Sequence, residues 1–506
     1  MYDSIDVKRA VYTALSQTGS TWLTAEDAKK AAGRLGITFE RFKALRDISC
    51  YEKANLYTLK SIAYQEGQIA QNLMNMALMT DRKATSRVTI ETYIRQFEKE
   101  ENHGMRLHIH QKDAVAMVVN SSVSILTGGP GTGKTTVLRC IAYVLRKLQP
   151  GITIGYAAPT GKAAQRCRES TGEDAMTAHR KLGLGYDTQS NDPIPVYEDV
   201  LFMDESSMND TLLTAYLSKA VKAPKRLVFV GDVDQLPSVG VGAVLRDLIA
   251  SRCFPVTMLT HTFRQDNESG LFANIQNVKN GKAEMVTSDD FKAKLVNSES
   301  DCMDMLVKAY LSETRIWGRE NVVCLLPYRR RGICSNALNN QIQMCVNPNP
   351  KGITHTDKDG CKRMFKVGDP VMQLKNRPEC VNGDVGKVID ISDGVLVRYD
   401  EEVVQYKNSD LEELSLAYAM SIHKSQGSEY ASVIMALMDS HKAMLQRNLV
   451  YTGITRAKKK CELYYQKAAL EKSVATIADN NRITCLAEMI KTIATQYQFL
   501  YGYRVA

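Results

Sequence analysis

The sequence predicts an α/β protein built on two parallel-sheet domains. In residues 105–258, short apolar runs each end where a small or polar motif begins; they lie at 124–126, 152–156, 200–203 and 227–230. Buried strands followed by functional loops are typical of a parallel sheet. A second alternation of apolar and helical stretches covers residues 259–352 and resumes near residue 411, within a second domain spanning 259–506. A glycine-rich signature directly after the first apolar run is the third observation.

Three smaller segments complete this plan. Residues 1–104 are mostly helical, and a short helix at 39–45 followed by a β-like run at 55–59 suggests a small winged-helix module. Such modules contact nucleic acid, but they serve as packing or partner surfaces about as often. Residues 184–198 fit a β-hairpin inserted in the first domain, and residues at about 360–410 form short strands joined by Asn-Gly-Asp and Asp-Gly turns. The latter predict a small β-barrel inserted in the second domain.

The composition argues against a disulfide-rich, zinc-cluster or membrane-spanning protein. The chain has 65 Lys and Arg against 56 Asp and Glu, a formal charge of +9, which permits a polyanionic partner without requiring one. Twelve cysteines without a C-x-x-C pair, and no secretory leader, favour a reducing compartment over a disulfide framework or zinc cluster. No apolar stretch approaches ~18 residues, so we expect no membrane span. We expect a soluble cytoplasmic protein, of a bacterial cell or encoded by a virus.

Residues 128–135 read G-G-P-G-T-G-K-T and fit the nucleotide-binding pattern G-x-x-x-x-G-K-[ST] between a strand and a helix. The glycines let backbone N–H groups turn around phosphate oxygens, and the following helix N-terminus adds favourable partial charge. Lys134 would reach the β- and γ-phosphates, and the Thr135 hydroxyl would bind Mg²⁺. A chance glycine-rich turn is the alternative, and the flanking strand and helix argue against it. The residues predicted to bind the nucleoside triphosphate here are Gly129, Gly131, Thr132, Gly133, Lys134, Thr135 and Thr136.

Two adjacent carboxylates follow a buried apolar run. The sequence V-L-F-M-D-E at 200–205 delivers Asp204 and Glu205 to the end of a strand. We predict that Asp204 holds the Mg²⁺ shell and that Glu205 polarises the attacking water. An acid pair at a helix N-terminus is the alternative, but it would not need four apolar residues immediately upstream.

Several further motifs appear in a fixed order. They are Gln111, A-P-T-G-K-A-A-Q-R at 158–166, D-E-S-S at 204–207, G-D-V-D-Q-L-P-S-V-G at 231–240, L-T-H-T-F-R-Q at 259–265, Y-A-M-S-I-H-K-S-Q-G-S-E at 418–429 and L-V-Y-T-G-I-T-R-A at 449–457. Together they resemble the motif series of superfamily 1B helicases of the RecD-like and Dda group, over roughly residues 105–465. The resemblance implies two RecA-like domains with ATP between them, an SH3-like inserted barrel, a duplex-splitting pin at the hairpin, and 5′→3′ movement.

The resemblance also assigns roles around the nucleotide. Gln111 matches the glutamine that reads adenine, Phe263 the aromatic that stacks on the base, and Glu429 the acid that bonds the ribose. Gln235 matches the sensor of the γ-phosphate. Arg264 and Arg456 match arginine fingers that stabilise transition-state charge. Surface salt bridges are the alternative for both arginines.

DNA contacts are implied at loops that follow the strands. The matching positions are Pro159, Thr160, Lys162, His423, Lys424, Ser425 and Gln426, with His179 as one further position. Short hydroxyl, amide and basic groups suit phosphate contacts, which carry no base sequence. A lone histidine is more often structural, and the arginine run at 329–331 fits a phosphate contact or a solvated face equally well.

One local pattern points elsewhere. Residues 107–111 read L-H-I-H-Q, a His-hydrophobic-His pattern that relaxases use for a metal. Because no segment is free to supply a relaxase nucleophile, we interpret these histidines, at strand spacing, as local packing.

Two functions remain open. The first is an ATP-driven 5′→3′ DNA helicase acting on single-stranded and tailed duplex DNA. The second is a nucleic-acid-stimulated ATPase subunit that binds single-strand-binding, replication or recombination proteins without separating strands. Repair, recombination, replication and viral genome copying all use such motors.

Overall fold

The structure, a computed structural model, describes residues 4–78, 84–184, 192–222, 225–263, 269–328, 332–357, 360, 362–377, 379–399, 402–477 and 482–501. The chain divides into two compact units. The first comprises residues 1–159, 167–264 and 478–506, and the second comprises residues 160–166 and 265–477.

The first unit begins with a small helical module. Its elements are α1 (Ser4–Thr18), β1 (Leu23–Thr24), α2 (Ala25–Arg34), α3 (Phe39–Lys43), β2 (Ile48–Tyr51) and β3 (Leu56–Leu59), and the strands pair antiparallel in the order β1-β3-β2. The winged-helix interpretation of this module stays a prediction. The Thr24 side chain caps α2 by accepting from the N–H of Asp27 at 3.2 Å. Two helices then lead to the main sheet, α4 (Lys60–Leu78) and α5 (Arg87–Glu100).

A six-stranded sheet forms the centre of the first unit, and all its strands run parallel in the order β6-β5-β7-β8-β4-β9. The elements are α6 (Ile109–Asn120), β4 (Val123–Gly128), α7 (Lys134–Leu148), β5 (Ile154–Ala158), α8 (Gly161–Thr171), β6 (Ala175–Thr177), α9 (Ala178–Lys181), β7 (Val200–Met203), α10 (Thr211–Ala220), β8 (Arg226–Gly231), α11 (Val244–Ser251) and β9 (Val256–Leu259). The four predicted apolar runs are therefore all strands of one parallel sheet. Residues 185–191 of the expected hairpin lie outside the described residues, and the described residues 192–198 form no strand.

The second unit carries a five-stranded parallel sheet in the order β10-β21-β20-β11-β19. The elements are α12 (Gly270–Lys279), β10 (Phe291–Leu295), α13 (Glu299–Trp317), β11 (Val322–Leu326), α14 (Ser335–Val346), β12 (Ile353–Thr356), β13 (Lys362–Phe365), β14 (Pro370–Gln373), β15 (Val385–Asp390), β16 (Val395–Tyr399), β17 (Glu402–Tyr406), β18 (Leu414–Leu416), β19 (Ala419–Ser421), β20 (Tyr430–Leu437), α15 (Arg447–Ile454), β21 (Ala457–Tyr465) and α16 (Lys467–Ala475). The predicted second α/β domain is thus present as a parallel sheet with flanking helices.

An antiparallel sheet is inserted between β11 and β19, with the strand order β17-β16-β15-β14-β18 and a separate β12–β13 pair. Its apolar side chains share one continuous core with α13 and β11. Asp369, which is fully buried, joins the two parts: its carboxylate accepts from Asn347 at 2.7 Å, from the Tyr418 hydroxyl at 2.8 Å and from the Gln343 amide. The insertion is therefore built into the second unit, while its closure as an SH3-like barrel stays a prediction.

The C-terminal segment corrects one predicted boundary. Residues 259–506 were expected in the second domain, but residues 478–506 group with the first unit. Helix α17 (Leu486–Tyr501) packs against α4 and α11, because its apolar face completes the core on that side of the six-stranded sheet. Among the residues that the structure describes, every helix is too short or too polar to span a lipid bilayer.

Candidate active site

The glycine-rich loop lies between β4 and α7, and its backbone is shaped as a cradle. Gly131 and Gly133 adopt positive φ angles of 71° and 79°, a conformation that glycine adopts without a steric cost. An added Cβ at Gly133 would lie 2.4 Å from the Gln111 amide nitrogen. The Lys134 ammonium donates to the carbonyls of Gly128 at 2.6 Å and Gly129 at 3.0 Å. The lysine therefore already lies over the loop that would hold phosphates.

Helix α7 begins directly at Lys134, and its N-cap residue Gly133 offers no side-chain cap. The first N–H groups of a helix have no partner within the helix. With no capping side chain, those of Lys134, Thr135 and Thr136 suit an anion at this helix end.

The two predicted carboxylates follow β7 at the same edge of the sheet. The N–H of Asp204 donates to the Ala157 carbonyl at 2.8 Å, which extends the pairing of β7 with β5 by one residue. Glu205 then has a φ of 49°, and its N–H donates to Asp204 Oδ1 at 2.8 Å. Left-handed backbone at a non-glycine residue is uncommon and costs free energy. The chain turns sharply here, and neither carboxylate is fully buried.

Strand β8 lies between β4 and β7 in the sheet, and its end carries Gln235 to the same edge. The Gln235 side chain donates to Asp232 Oδ2 at 3.3 Å, and its backbone N–H donates to the Asp232 carbonyl at 3.3 Å. Both residues are at least 95% buried. Because the carboxyl ends of neighbouring parallel strands meet at one edge, the structure brings the phosphate loop, the acid pair and Gln235 together.

The base-binding residues predicted in the first unit also converge. Gln111 lies in the first turn of α6, where its side chain accepts from the His108 N–H at 2.9 Å and donates to the Thr132 carbonyl at 3.2 Å. An amide has two donor hydrogens and two acceptor lone pairs, so one of each remains for a base edge. The backbone N–H of Phe263 donates to the Gly131 carbonyl at 2.8 Å, while the residue is 51% exposed. The loop thus holds an exposed aromatic face beside an amide.

The histidines beside this pocket occupy a helix start, which corrects their predicted strand spacing. His108 is the N-cap of α6, and its ring accepts from the N–H of His110. Its ring stacks on His261 with centroids 4.8 Å apart, and His261 meets the Phe263 ring edge-on at 4.6 Å. Burial lowers the pKa of His108, and the neighbouring His261 and His110 lower it further. The packing interpretation fits these contacts, because the three histidines form a column of rings behind the exposed phenylalanine.

In the second unit, Arg456 is buried, with 2% of its surface exposed. Its guanidinium donates to the carbonyls of Thr452 at 3.1 Å and Ser428 at 3.2 Å. A solvated surface salt bridge is therefore the wrong interpretation of this arginine. Glu429 forms ion pairs with Lys458, at 3.6 Å, and with Arg166. Arg264 and the run at 329–331 lie outside the described residues.

The predicted DNA-side residues of the second unit fall into two groups. Lys162 and Lys424 are partly exposed: Lys162 donates to the Tyr430 hydroxyl at 3.3 Å, and Lys424 donates to the Asn382 side chain. Ser425 is fully buried and its hydroxyl donates to the Ile422 carbonyl at 2.7 Å, so here it supports the turn instead of facing solvent. The remaining positions are Thr160 and His423, partly exposed, and Gln426, buried. In the first unit, Pro159 follows β5, and His179 is exposed on α9.

Comparison with known proteins places the chain in a family. Residues 111–241 match the model of an AAA domain, and residues 416–464 match that of the UvrD-like helicase C-terminal domain. The RecBCD enzyme subunit RecD of Haemophilus influenzae is 30% identical, over 70% of this chain and 68% of that protein. The chain belongs to the RecD family of superfamily 1 helicases.

Two further similarities accompany that match. The ATP-dependent RecD2 DNA helicase of Deinococcus radiodurans is 34% identical over 69% of this chain, which spans only 47% of the length of that relative. A solved structure of Pif1, from work on DNA unwinding at forked dsDNA by two coordinating Pif1 helicases, is 20% identical with a TM-score of 0.46, over 79% of this chain and 100% of that one.

Two groups near the RecD-family motifs escape prediction from sequence. Asp232, which anchors Gln235, precedes that residue by three positions in the same G-D-V-D-Q motif, so the motif itself could have indicated it. Arg482 reaches the residues that follow Gln235 from 244 positions further along the chain. No local pattern signals such a contact.

Proposed function

We propose that this chain is an ATP-driven DNA helicase that moves 5′→3′ along single-stranded DNA and unwinds tailed duplexes. The observation that carries the proposal is the convergence of Lys134, the Asp204–Glu205 pair and Gln235 at one sheet edge in a member of the RecD family. The Deinococcus radiodurans relative is named as an ATP-dependent DNA helicase. The polarity rests on the resemblance of the motif series.

The nucleotide would be held by the cradle in three parts. Gln111 and the Phe263 ring supply an amide and an exposed aromatic face for adenine, which suits ATP. The loop N–H groups and Lys134 supply donors for the phosphates. Thr135 and Asp204 supply a hydroxyl and a carboxylate, the oxygen ligands that Mg²⁺ prefers, and the ion would neutralise phosphate charge when bound.

Turnover would depend on a base and on cationic groups. Glu205, held in its left-handed turn beside Asp204, would accept a proton from the attacking water. Gln235 would sense the γ-phosphate, and Glu429 would bond the ribose. Arg456 and Arg264 would stabilise the charge that develops on the transferred phosphoryl group.

Single-stranded DNA would be contacted through its phosphates. Lys162 and Lys424 offer ammonium groups at partly exposed positions, and Thr160 offers a hydroxyl. Contacts of this kind position a strand without reading its sequence. The proposed set is completed by Pro159, His179, His423 and Gln426. Ser425 would support the turn that carries His423 and Lys424, through its hydrogen bond to the Ile422 carbonyl.

A second function has an observation in its favour. The Haemophilus influenzae relative is named as a subunit of the RecBCD enzyme. A chain of this family could therefore act as a nucleic-acid-stimulated ATPase within a larger repair or recombination assembly, without separating strands itself.

Strand displacement on matched substrates tests both proposals. The purified chain is mixed with ATP, Mg²⁺ and a labelled duplex that carries a 5′ tail, a 3′ tail or blunt ends, with Lys134→Ala as the inactive control. We expect unwinding of the 5′-tailed duplex alone. Unwinding that requires a 3′ tail would refute the polarity, and DNA-stimulated phosphate release with every duplex intact would favour the ATPase subunit.

A further inference from the structure

The loop that follows Gln235 enters the N-terminal module. We call residues 235–243 the sensor loop. Its residue Val241 is 6% exposed and belongs to the same apolar core as Val7 and Val11 of α1. The N–H of Gly242 donates to the Gly19 carbonyl at 2.8 Å. The far end of the sensor loop is therefore anchored in the N-terminal module, while its first residue lies at the edge of the six-stranded sheet.

Arg482 binds the sensor loop from the C-terminal segment. Its guanidinium donates to the carbonyls of Ser238 at 2.7 Å, Gly242 at 2.6 Å and Gly240 at 3.3 Å, and to the Ser238 hydroxyl at 3.2 Å. The planar guanidinium has five N–H donors in a fixed fork. One side chain therefore fixes three carbonyl groups of the loop at once, which an ammonium group cannot do with the same geometry.

The surrounding backbone leaves room for this guanidinium. An added Cβ at Gly19, which has a φ of 72°, would lie 2.6 Å from two guanidinium atoms of Arg482. In the sensor loop itself, Gly242 has a φ of 109°, and a Cβ there would lie 2.1 Å from the Thr211 hydroxyl, so this position has no room for a side chain. The next residue of the C-terminal segment is fixed as well, because the Ile483 N–H donates to the Ser20 hydroxyl at 3.0 Å and its carbonyl accepts from Thr21 and Trp22. The residue after Arg482 is thus fixed to the N-terminal module.

Gln235 is also bonded to Asp232 at the sheet edge. Both of its hydrogen bonds to Asp232 measure 3.3 Å, which lies beyond the usual N–H···O range of about 2.7–3.2 Å. Gln235 is the first residue of the sensor loop, and the backbone that Arg482 binds begins three residues after it, so the position of Gln235 is linked to that of the loop.

We propose that Arg482 is a positioning residue for Gln235, and that it ties the rate of ATP turnover to the N-terminal module. The inference rests on the proposed function, because it takes Gln235 as the γ-phosphate sensor. Arg482 acts through the loop backbone and does not touch the nucleotide. Loosening the loop displaces the Gln235 amide, and a displacement of about 1 Å from a remote change can reduce a rate on the order of 10²-fold.

A fall in kcat without a change in KM distinguishes a positioning role from a merely structural one. Arg482→Ala, Arg482→Lys and Val241→Ala are compared with Arg146→Gln, a control that removes a bidentate arginine–glutamate pair elsewhere in the same unit. DNA-stimulated phosphate release gives kcat and KM, and binding of a fluorescent ATP analogue gives the dissociation constant. Circular dichroism and thermal unfolding confirm that each variant is folded.

We expect kcat to fall about 10- to 100-fold in Arg482→Ala, with KM and the dissociation constant of ATP within about twofold of wild type. Arg482→Lys should recover only part of the rate, and guanidinium ion added below denaturing concentrations should partly restore Arg482→Ala. If Arg482→Ala does not fold, Arg482→Lys and Val241→Ala test the inference in its place: kcat should fall while KM and the dissociation constant of ATP stay near wild type.

A wild-type kcat in the Arg482 variants, or equal losses in Arg146→Gln, would overturn the inference and leave the proposed function standing. An inactive wild-type chain would instead refute the proposed function.

Discussion

Replacing Glu66 with glutamine should remove a large part of the pH dependence of stability of the first unit. Glu66, on α4, is fully buried, and its carboxyl accepts from the Thr21 hydroxyl at 2.6 Å and the Trp22 indole N–H at 2.7 Å. Burial raises its pKa to about 7, and the charge of Asp247 adds to that rise, while the hydrogen bonds oppose it. The folded protein therefore binds this proton more tightly than the unfolded chain does.

The sign and size of the effect follow from linkage. The stabilisation is complete below pH 4.5, the ordinary value for a glutamate, and is lost as the pH rises to about 7 and beyond. The difference between 4.5 and about 7 corresponds to about 3 kcal/mol at ~1.4 kcal/mol per pH unit. Glutamine stays neutral at every pH and can still accept from Trp22 while it donates to Thr21, so its profile should lack this component.

Tryptophan fluorescence measures this change locally. The chain has two tryptophans, so in a Trp317→Phe background the emission of Trp22 reports the region around Glu66. Urea unfolding is followed at pH 5, 6, 7 and 8 for wild type, Glu66→Gln and Glu91→Gln, a control on the surface of α5. The variant should gain stability relative to wild type as the pH rises, whereas the control should not. A wild-type-to-variant difference that is constant across these pH values would refute the reasoning.

Four other outcomes are expected. Lys134→Ala and Glu205→Gln should each abolish ATP hydrolysis without unfolding the chain; near-normal phosphate release by Glu205→Gln would exclude it as the base. Arg456→Lys should bind a fluorescent ATP analogue normally and lose turnover, and normal turnover would remove the proposed finger. Affinity for single-stranded DNA should fall steeply with salt concentration, and a flat profile in fluorescence anisotropy would argue against a phosphate track. Asp369→Ala leaves buried donors without an acceptor, so stability near Trp317 should fall by about 3 kcal/mol, and unchanged urea unfolding would contradict the role of Asp369 in joining the insertion.

The parts of the fold that sequence predicts well are those with a local physical signal. The run V-L-F-M at 200–203 is β7 at those same residues, because a fully buried parallel strand needs an unbroken apolar segment. The stretch T-A-E-D-A-K-K-A-A-G at 24–33 predicts a helix that follows an N-cap threonine and ends at glycine, and Thr24 does cap α2. That helix continues one residue past Gly33, however, and the left-handed glycine after it is Gly36.

The parts that sequence misses depend on distant partners. Glu66 stands among polar residues in Q-E-G-Q and has the pattern of a surface position. It is buried because Thr21 and Trp22, more than 40 residues away, supply donors for both carboxyl oxygens. His108 is similar: its alternation with His110 suggests a strand, but the reciprocal hydrogen bonds with Gln111 start a helix instead.

The route of the chain through the first unit has a consequence for its synthesis. The polypeptide leaves this unit after residue 264 and returns at residue 478. A ribosome makes Lys134, Glu205 and Gln235 long before Arg482 and α17 emerge. A nascent chain can therefore assemble the phosphate cradle while the residues after Gln235 still lack the guanidinium that fixes them. At that stage the N-terminal module also lacks the hydrogen bonds that Ile483 makes with Ser20, Thr21 and Trp22. We expect ribosome-bound chains stopped before residue 478 to be cut by protease within 235–243, and released chains that extend through residue 506 to resist cleavage there.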